Sequence, residues 1–201
     1  GKGANSVGYN TVLGEGALDA AVTGDYNVAI GKYTLTSNTS GNNNTAIGRD
    51  SLAANTTGYS NTGIGSLSLY SNQTGYSNTG VGVHALRTNT ASENTAVGHS
   101  ALRLNTSGTN NTAVGVESLK ENTSAALNVA VGRSALKLNT TGAENTAVGA
   151  YALDAATTGA SYSVALGTSA LGSTTAGFNI GIGRRAEWKL TTGTNNIAIG
   201  D

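Results

Sequence analysis

Few side chains in this sequence could support metal or acid–base chemistry, and they are scattered. His84 and His99 fall at nearly the same place in two successive sequence repeats, where two imidazoles could hold a metal ion, but no third histidine or carboxylate recurs beside them. Glu117 and Glu121 lie close together in the sequence, but the carboxylates as a whole are scattered, whereas acid–base cleavage of a glycoside needs paired acids. The sequence therefore predicts no catalytic residue, no metal site and no cofactor, and both histidines are interpreted as exposed turn residues.

A second group of side chains could bind an anionic sugar. Four basic residues occupy one position in four successive repeats, so stacking would align them as a positive stripe unless neighbouring glutamates neutralise it. Two tyrosines share another position, where they could stack on a sugar ring or simply on each other. The irregular stretch 184–190 adds two arginines and the only tryptophan. The candidate glycan contacts are Arg87, Arg103, Lys120, Lys137, Tyr59, Tyr76, Arg184, Arg185 and Trp188.

Composition excludes several classes of protein. The 201 residues carry no net charge, with 11 basic and 11 acidic side chains, so the basic surface of a nucleic-acid binder is not expected. No apolar run is long enough to span a bilayer, so we expect no membrane insertion in this segment. The absence of Cys excludes disulfides, and the 29 Gly, 29 Thr and 23 Asn are too many for a conventional core.

The elements that must position these side chains are repeats of 17 residues, with occasional units of 16 or 18. An Asn-Thr-Ala-Val-Gly pentapeptide and its variants recur through the chain, which predicts a single repeat domain over residues 1–201. Because the sequence begins without Met and stops inside a unit, we expect it to be a fragment of a longer chain. The repeat glycines are Gly14, Gly31, Gly48, Gly65, Gly82, Gly98, Gly115, Gly132, Gly149, Gly167, Gly183 and Gly200.

The pattern around each repeat glycine predicts a β-strand. The residue directly before the glycine is aliphatic in all twelve units. The residue two before it is Ala or Gly in eleven units, and the residue three before it is β-branched in all twelve. Such alternation has the period of a strand, while the Asn-Thr-Thr-Gly stretches are typical of turns. We therefore predict an all-β fold, a parallel β-solenoid of about twelve coils, each with two short strands and two turns, about 58 Å long.

Each coil has only two large aliphatic side chains, which is too little apolar material for an independent core. We expect a homo-oligomer, most simply a trimer, in which the strand face made of Ala and Gly residues lets the backbone of another chain approach. Asn stands four residues before the repeat glycine in eleven of the twelve units, with Ser163 as the exception, and this column is expected to form a hydrogen-bonded ladder. The predicted ladder is Asn27, Asn44, Asn61, Asn78, Asn94, Asn111, Asn128 and Asn145.

The Asn-Thr-Ala-Val-Gly-x-x-Ala-Leu pattern resembles the head repeats of trimeric autotransporter adhesins, the YadA-like heads, and is similar to repeats of phage and viral tail fibres. The resemblance covers nearly the whole chain, although the 17-residue unit is longer than that of the adhesin heads. It implies a left-handed, trimeric β-roll that is extracellular, on a virion fibre or a bacterial surface, and that spaces or presents a region binding a host glycan or receptor.

Two other functions remain open. Thr follows the ladder position in seven units, and a flat rank of Thr is typical of ice-binding solenoids, although Val and Ile interrupt it, which indicates burial instead. The chain could also be a non-catalytic part of a polysaccharide-degrading tailspike.

Overall fold

A computed structural model describes residues 9–156, 159–187, 189 and 191–201. The described residues contain twelve strands of three residues each and no helix. The strands are β1 Thr11–Leu13, β2 Val28–Ile30, β3 Thr45–Ile47, β4 Thr62–Ile64, β5 Thr79–Val81, β6 Thr95–Val97, β7 Thr112–Val114, β8 Val129–Val131, β9 Thr146–Val148, β10 Val164–Leu166, β11 Ile180–Ile182 and β12 Ile197–Ile199.

The twelve strands form one parallel sheet in chain order, so the predicted all-β parallel solenoid is confirmed. Equivalent repeat positions pair throughout, as where Ala113 of β7 lies opposite Ala130 of β8. The 16-residue and 18-residue units keep this register, because Gly80 still pairs with Ala96 and Ala147 with Ala165. The turns therefore absorb the extra or missing residue, and eleven steps between strands extend the sheet by about 53 Å.

The core of each coil is a leucine packed against the middle residue of the strand. All ten leucines four residues after a repeat glycine, from Leu18 to Leu171, are completely buried. The middle strand residue, Ala in most coils, faces them, and a Cβ added to Gly80 would lie only 3.4 Å from Cγ of Leu69. Our prediction that this small-residue face receives another chain is wrong, because the face lines the interior of the chain's own solenoid.

Each coil has one strand among the described residues, and not the two that we predicted. The rest of the coil bends through three non-glycine positions with left-handed backbone, for example Glu117, Leu119 and Leu127 with φ between 49° and 60°. These sharp turns bring the chain back to the next strand without a second straight segment. A core leucine in this conformation is unusual, because its Cβ approaches the following carbonyl at a cost of about 1–2 kcal/mol.

The repeat glycine lets adjacent coils come into backbone contact. Gly115 has a φ of 134°, and a Cβ placed on it would meet the carbonyl oxygen of Gly132, in the next coil, at 2.5 Å. Neither the φ angle nor the space would accept a side chain. The glycine that follows each strand from β1 to β11 is therefore required by the spacing between coils.

Candidate functional site

The predicted asparagine ladder lies inside the solenoid, along one corner. Asn111 is typical: its Nδ2 donates to Oδ1 of Asn94 at 3.2 Å and to the carbonyl of Ala125 at 2.8 Å. Its own Oδ1 accepts the backbone N–H of Asn128, so each amide also replaces a backbone acceptor for the next coil. Ser163, at the position where the pattern breaks, continues the ladder by accepting the N–H of Asn179 on its Oγ.

A second asparagine ladder, which sequence reasoning missed, runs along another corner. Nδ2 of Asn122 donates to Oδ1 of Asn105 at 2.7 Å and to the carbonyl of Ala125 at 3.1 Å. The signal was present, since Asn recurs seven residues after the repeat glycine, but the Asn-Thr-Ser and Asn-Thr-Thr stretches were interpreted only as turns. The completely buried members are Asn38, Asn55, Asn72, Asn89, Asn105, Asn122 and Asn139.

The outer face of the sheet carries β-branched and aliphatic side chains in two parallel columns. In each strand the first and third residues point away from the core, so Thr112 and Val114 are both only partly buried. Seven of the twelve aliphatic residues in the third position are at least 36% exposed. The Thr column is likewise not buried within one chain, and the two columns together form a regular, partly exposed surface of β-branched and aliphatic side chains along the sheet.

Arg87, Arg103, Lys120 and Lys137 are stacked as one column on four successive coils, which we call the basic column. Backbone bonds set this spacing, because Thr88 donates to the carbonyl of Arg103 at 3.1 Å and the residues that follow repeat the contact. At one residue per coil, neighbouring side chains begin about 4.8 Å apart. In the next coil the equivalent position is held by an acid, Asp154, whose backbone carbonyl accepts the N–H of Leu138. Burial raises the pKa of the Asp154 carboxyl group.

Carboxylates neutralise only half of the basic column. Glu117 lies 2.8 Å from Nζ of Lys137 and 3.2 Å from Nζ of Lys120, and Glu121 lies 3.7 Å from Lys120. These contacts hold the pKa of Glu117 below its usual range, with the hydrogen bond from Lys137 as the largest cause. Within the described part of the chain, neither Arg87 nor Arg103 has a carboxylate within ion-pair distance.

Two histidines lie beside the unneutralised half. The rings of His84 and His99 are 6.2 Å apart in an edge-to-face arrangement. Burial is the largest cause that lowers the pKa of His84, followed by the positive charges of Arg87 and Arg103. Nδ1 of His84 and Nε of both arginines are shielded from solvent and have no hydrogen-bond partner.

The structure gives the remaining candidates separate positions. Tyr59 and Tyr76 stack on each other with ring centres 5.1 Å apart. Arg184 lies toward the other end of the sheet, in an ion pair with Asp201 at 2.8 Å, and the backbone of Arg185 donates to the carbonyl of Thr168. Trp188 lies outside the described residues. The structure therefore assembles the basic column and the tyrosine pair but does not join either to the arginines at 184–185.

The arrangement has few features of a conventional active site. Within the described ranges there is no enclosed pocket and no group of three or more residues suited to bind a metal ion. None of the described residues belongs to a helix able to cross a membrane. Comparisons with protein-family models, curated proteins and solved structures find no match to this chain. What the chain offers for recognition is a column of charges and a long apolar face.

Proposed function

We propose that this chain is a non-enzymatic, rigid spacer segment of an extracellular fibre, and that three copies associate through the outer face of the sheet. The fibre would belong to a bacterial surface adhesin or to a phage or viral tail, as the resemblance of the repeats implies. A regular parallel sheet with strands from Thr11 to Ile199 suits a rod that holds a receptor-binding region at a distance.

The exposed aliphatic column is the observation that carries this proposal. Val97 and Val148 are each more than a third exposed although they stand in the middle of the sheet. Summed over twelve strands, the β-branched and aliphatic columns present on the order of 1,000 Å², more than the largest apolar patch of a typical monomer and comparable to one side of a standard interface. A face that is straight and repeats at every coil is complementary to another copy of itself along a common axis.

Sedimentation analysis tests the assembly. We expect the wild-type protein to sediment as a trimer, and Val97→Lys with Val114→Lys to shift it to a monomer because two charges would be buried at the interface. The matched control is Val83→Lys with Val116→Lys, since these exposed valines lie outside the sheet face. The proposal would be contradicted if the wild-type protein sedimented as a monomer and still unfolded in a cooperative thermal transition.

The role as a spacer has its own test. Electron microscopy of the proposed fibre is expected to show this chain as a straight rod about 53 Å long. Immunolabelling of intact cells or virions tests the extracellular placement. Incubation with capsular polysaccharide should release no reducing ends, and release would instead favour an enzyme or a depolymerising tailspike.

Ice binding is the second candidate, because the same face holds its Thr column outward. Thr95 and Thr112 stand next to each other on β6 and β7, and Thr holds this position in seven of the twelve strands. If the face binds ice, the protein is a monomer with thermal hysteresis, and Thr95→Lys abolishes the hysteresis. A trimer without hysteresis excludes this function.

A further inference from the structure

We propose that Arg87 and Arg103, together with His84 and His99, form a binding site for an acidic polysaccharide that is strengthened at acidic pH. This site lies on the basic column, outside the sheet face, and does not depend on the proposed fibre role. Its ligand group is an oxyanion, a sulfate ester or a carboxylate, on a sugar chain.

The first argument is the missing counter-charge. Lys120 and Lys137 share Glu117, but the two half-buried arginines have no carboxylate within ion-pair distance among the described residues. A partly buried charge without a partner is costly, and a bound anion offsets that cost. The planar guanidinium group is suited to bind an oxyanion with two hydrogen bonds.

The second argument is the position of the histidines. His84 lies near Arg87 of its own coil and near Arg103 and His99 of the next, and Arg49 is the further cation that acts on it. The nearest carboxylates on this side, Asp50 and Glu117, lie two coils away on either side, and both are within 4 Å of a cation. The charged and titratable groups that act on His84 are therefore all basic.

This environment gives binding a defined pH dependence. In the free protein, burial and the arginines lower the pKa of His84, so its ring is neutral at pH 7. A bound anion favours the protonated ring and raises that pKa, and by linkage protonation must tighten anion binding. Affinity should therefore increase as the pH falls through the range in which His84 of the free protein becomes protonated.

A polysaccharide fits this site better than a small ion or a nucleic acid. The described residues form no pocket that could enclose a free ion, whereas a chain molecule can lie along the rod and gain contacts on successive coils. Nucleic acid binding draws on many phosphate contacts, but this chain has no net charge and the unneutralised part of the column spans only two coils.

Fluorescence anisotropy with labelled hexasaccharides tests the proposal on the whole chain. The probes are a sulfated hexasaccharide derived from heparin and a carboxylate-only hexasaccharide derived from hyaluronan, each at pH 5.5 and pH 8.0. We expect the affinity of at least one probe to be at least about fivefold higher at pH 5.5 than at pH 8.0. Which probe binds identifies the oxyanion, and binding of neither would overturn the proposal.

Three variants separate the contributions. Arg87→Gln with Arg103→Gln should weaken binding at least tenfold at both pH values. His84→Gln with His99→Gln should leave affinity at pH 8.0 within twofold but remove the gain at pH 5.5. The control, Lys32→Gln with Arg133→Gln, removes two charges elsewhere and should bind as the wild type does.

Two outcomes would overturn the site even if a probe binds. One is an equal loss in the control, which would show only a general charge effect. The other is tighter binding of a DNA duplex of matched charge, which would indicate a nucleic-acid surface. Melting curves of each variant identify any loss of fold, and the histidine pair keeps the test decisive because its readout is the ratio of affinities between two pH values.

Discussion

Nδ2 of Asn55 donates to Oδ1 of Asn38 at 2.8 Å from one coil to the next, and to the carbonyl of Gly58 at 3.0 Å within its own coil. The same amide therefore joins two coils and closes a turn. Together with the first ladder, this satisfies most of the buried amide groups at two corners of the solenoid, and the exception is Oδ1 of Asn72, which has no partner among the described residues where the second ladder breaks before Asn89. Much of what holds the coils together is polar, which explains how a chain with so few large apolar residues forms a regular rod.

Breaking either ladder should be strongly destabilising. Asn122→Leu leaves Oδ1 of Asn105 without its donor and removes one of the two donors to the carbonyl of Ala125, the other being Asn111. We expect a loss of about 2–4 kcal/mol in the free energy of unfolding. Asn111→Leu should cost at least as much, because the backbone N–H of Asn128 also loses its acceptor. Chemical denaturation followed by circular dichroism measures both losses.

The control for the ladders is Asn110→Gly. Asn110 is exposed and has a φ of 57°, a conformation that glycine adopts freely. We expect a change below about 0.5 kcal/mol. An Asn122→Leu variant as stable as Asn110→Gly would show that the second ladder contributes nothing to stability.

Substitution of a repeat glycine should separate backbone conformation from lack of space. In Gly115→Ala, the new Cβ meets the carbonyl of Gly132, and we expect a loss of more than about 3 kcal/mol or failure to fold. Gly159 also has a positive φ, of 78°, but no described atom lies within 4 Å of an added Cβ. Gly159→Ala should therefore cost only the conformational strain, about 1–2 kcal/mol, and equal melting temperatures for the two variants would contradict the steric argument.

One exposed left-handed residue offers a stabilising change. Leu127 has a φ of 60° and its side chain is largely exposed, so replacing it by Asn relieves strain without removing core contacts. We expect Leu127→Asn to raise the free energy of unfolding by about 0.5–1 kcal/mol. Val83→Asn is the control, because Val83 is similarly exposed but does not have positive φ, and it should give no increase.

The ion pairs of Glu117 should make stability depend on pH. Because its pKa is lower in the folded chain than in the unfolded one, its contribution is complete above the unfolded value and is lost as the pH falls through the folded value. Glu117→Gln should therefore lower the free energy of unfolding at pH 7 by less than about 1 kcal/mol, and the melting temperature with it. Near pH 2 it should have no effect. Glu93→Gln, an exposed site without an ion pair in the described structure, should leave the profile unchanged.

Repetition made much of the fold predictable. The recurrence of Asn, a β-branched residue, Ala or Gly, an aliphatic residue and the repeat glycine located every strand, because each unit meets the same neighbours in the coils above and below. The first ladder followed from the same logic, and so did the stacking of Arg87 on Arg103. A side chain that recurs at one position must lie beside its own copies when coils stack in register.

Period alone could not show which side of a three-residue strand faces inward, and only the tertiary structure decided this. Ala113 turns inward because Leu119, in left-handed backbone, folds its side chain back into the small interior, and that leaves Val114 outside. Likewise, the sequence placed four basic residues in one column but not their counter-charges. Glu117 reaches two lysines and neither arginine, because an ion pair depends on distances between side chains that no spacing along the chain specifies.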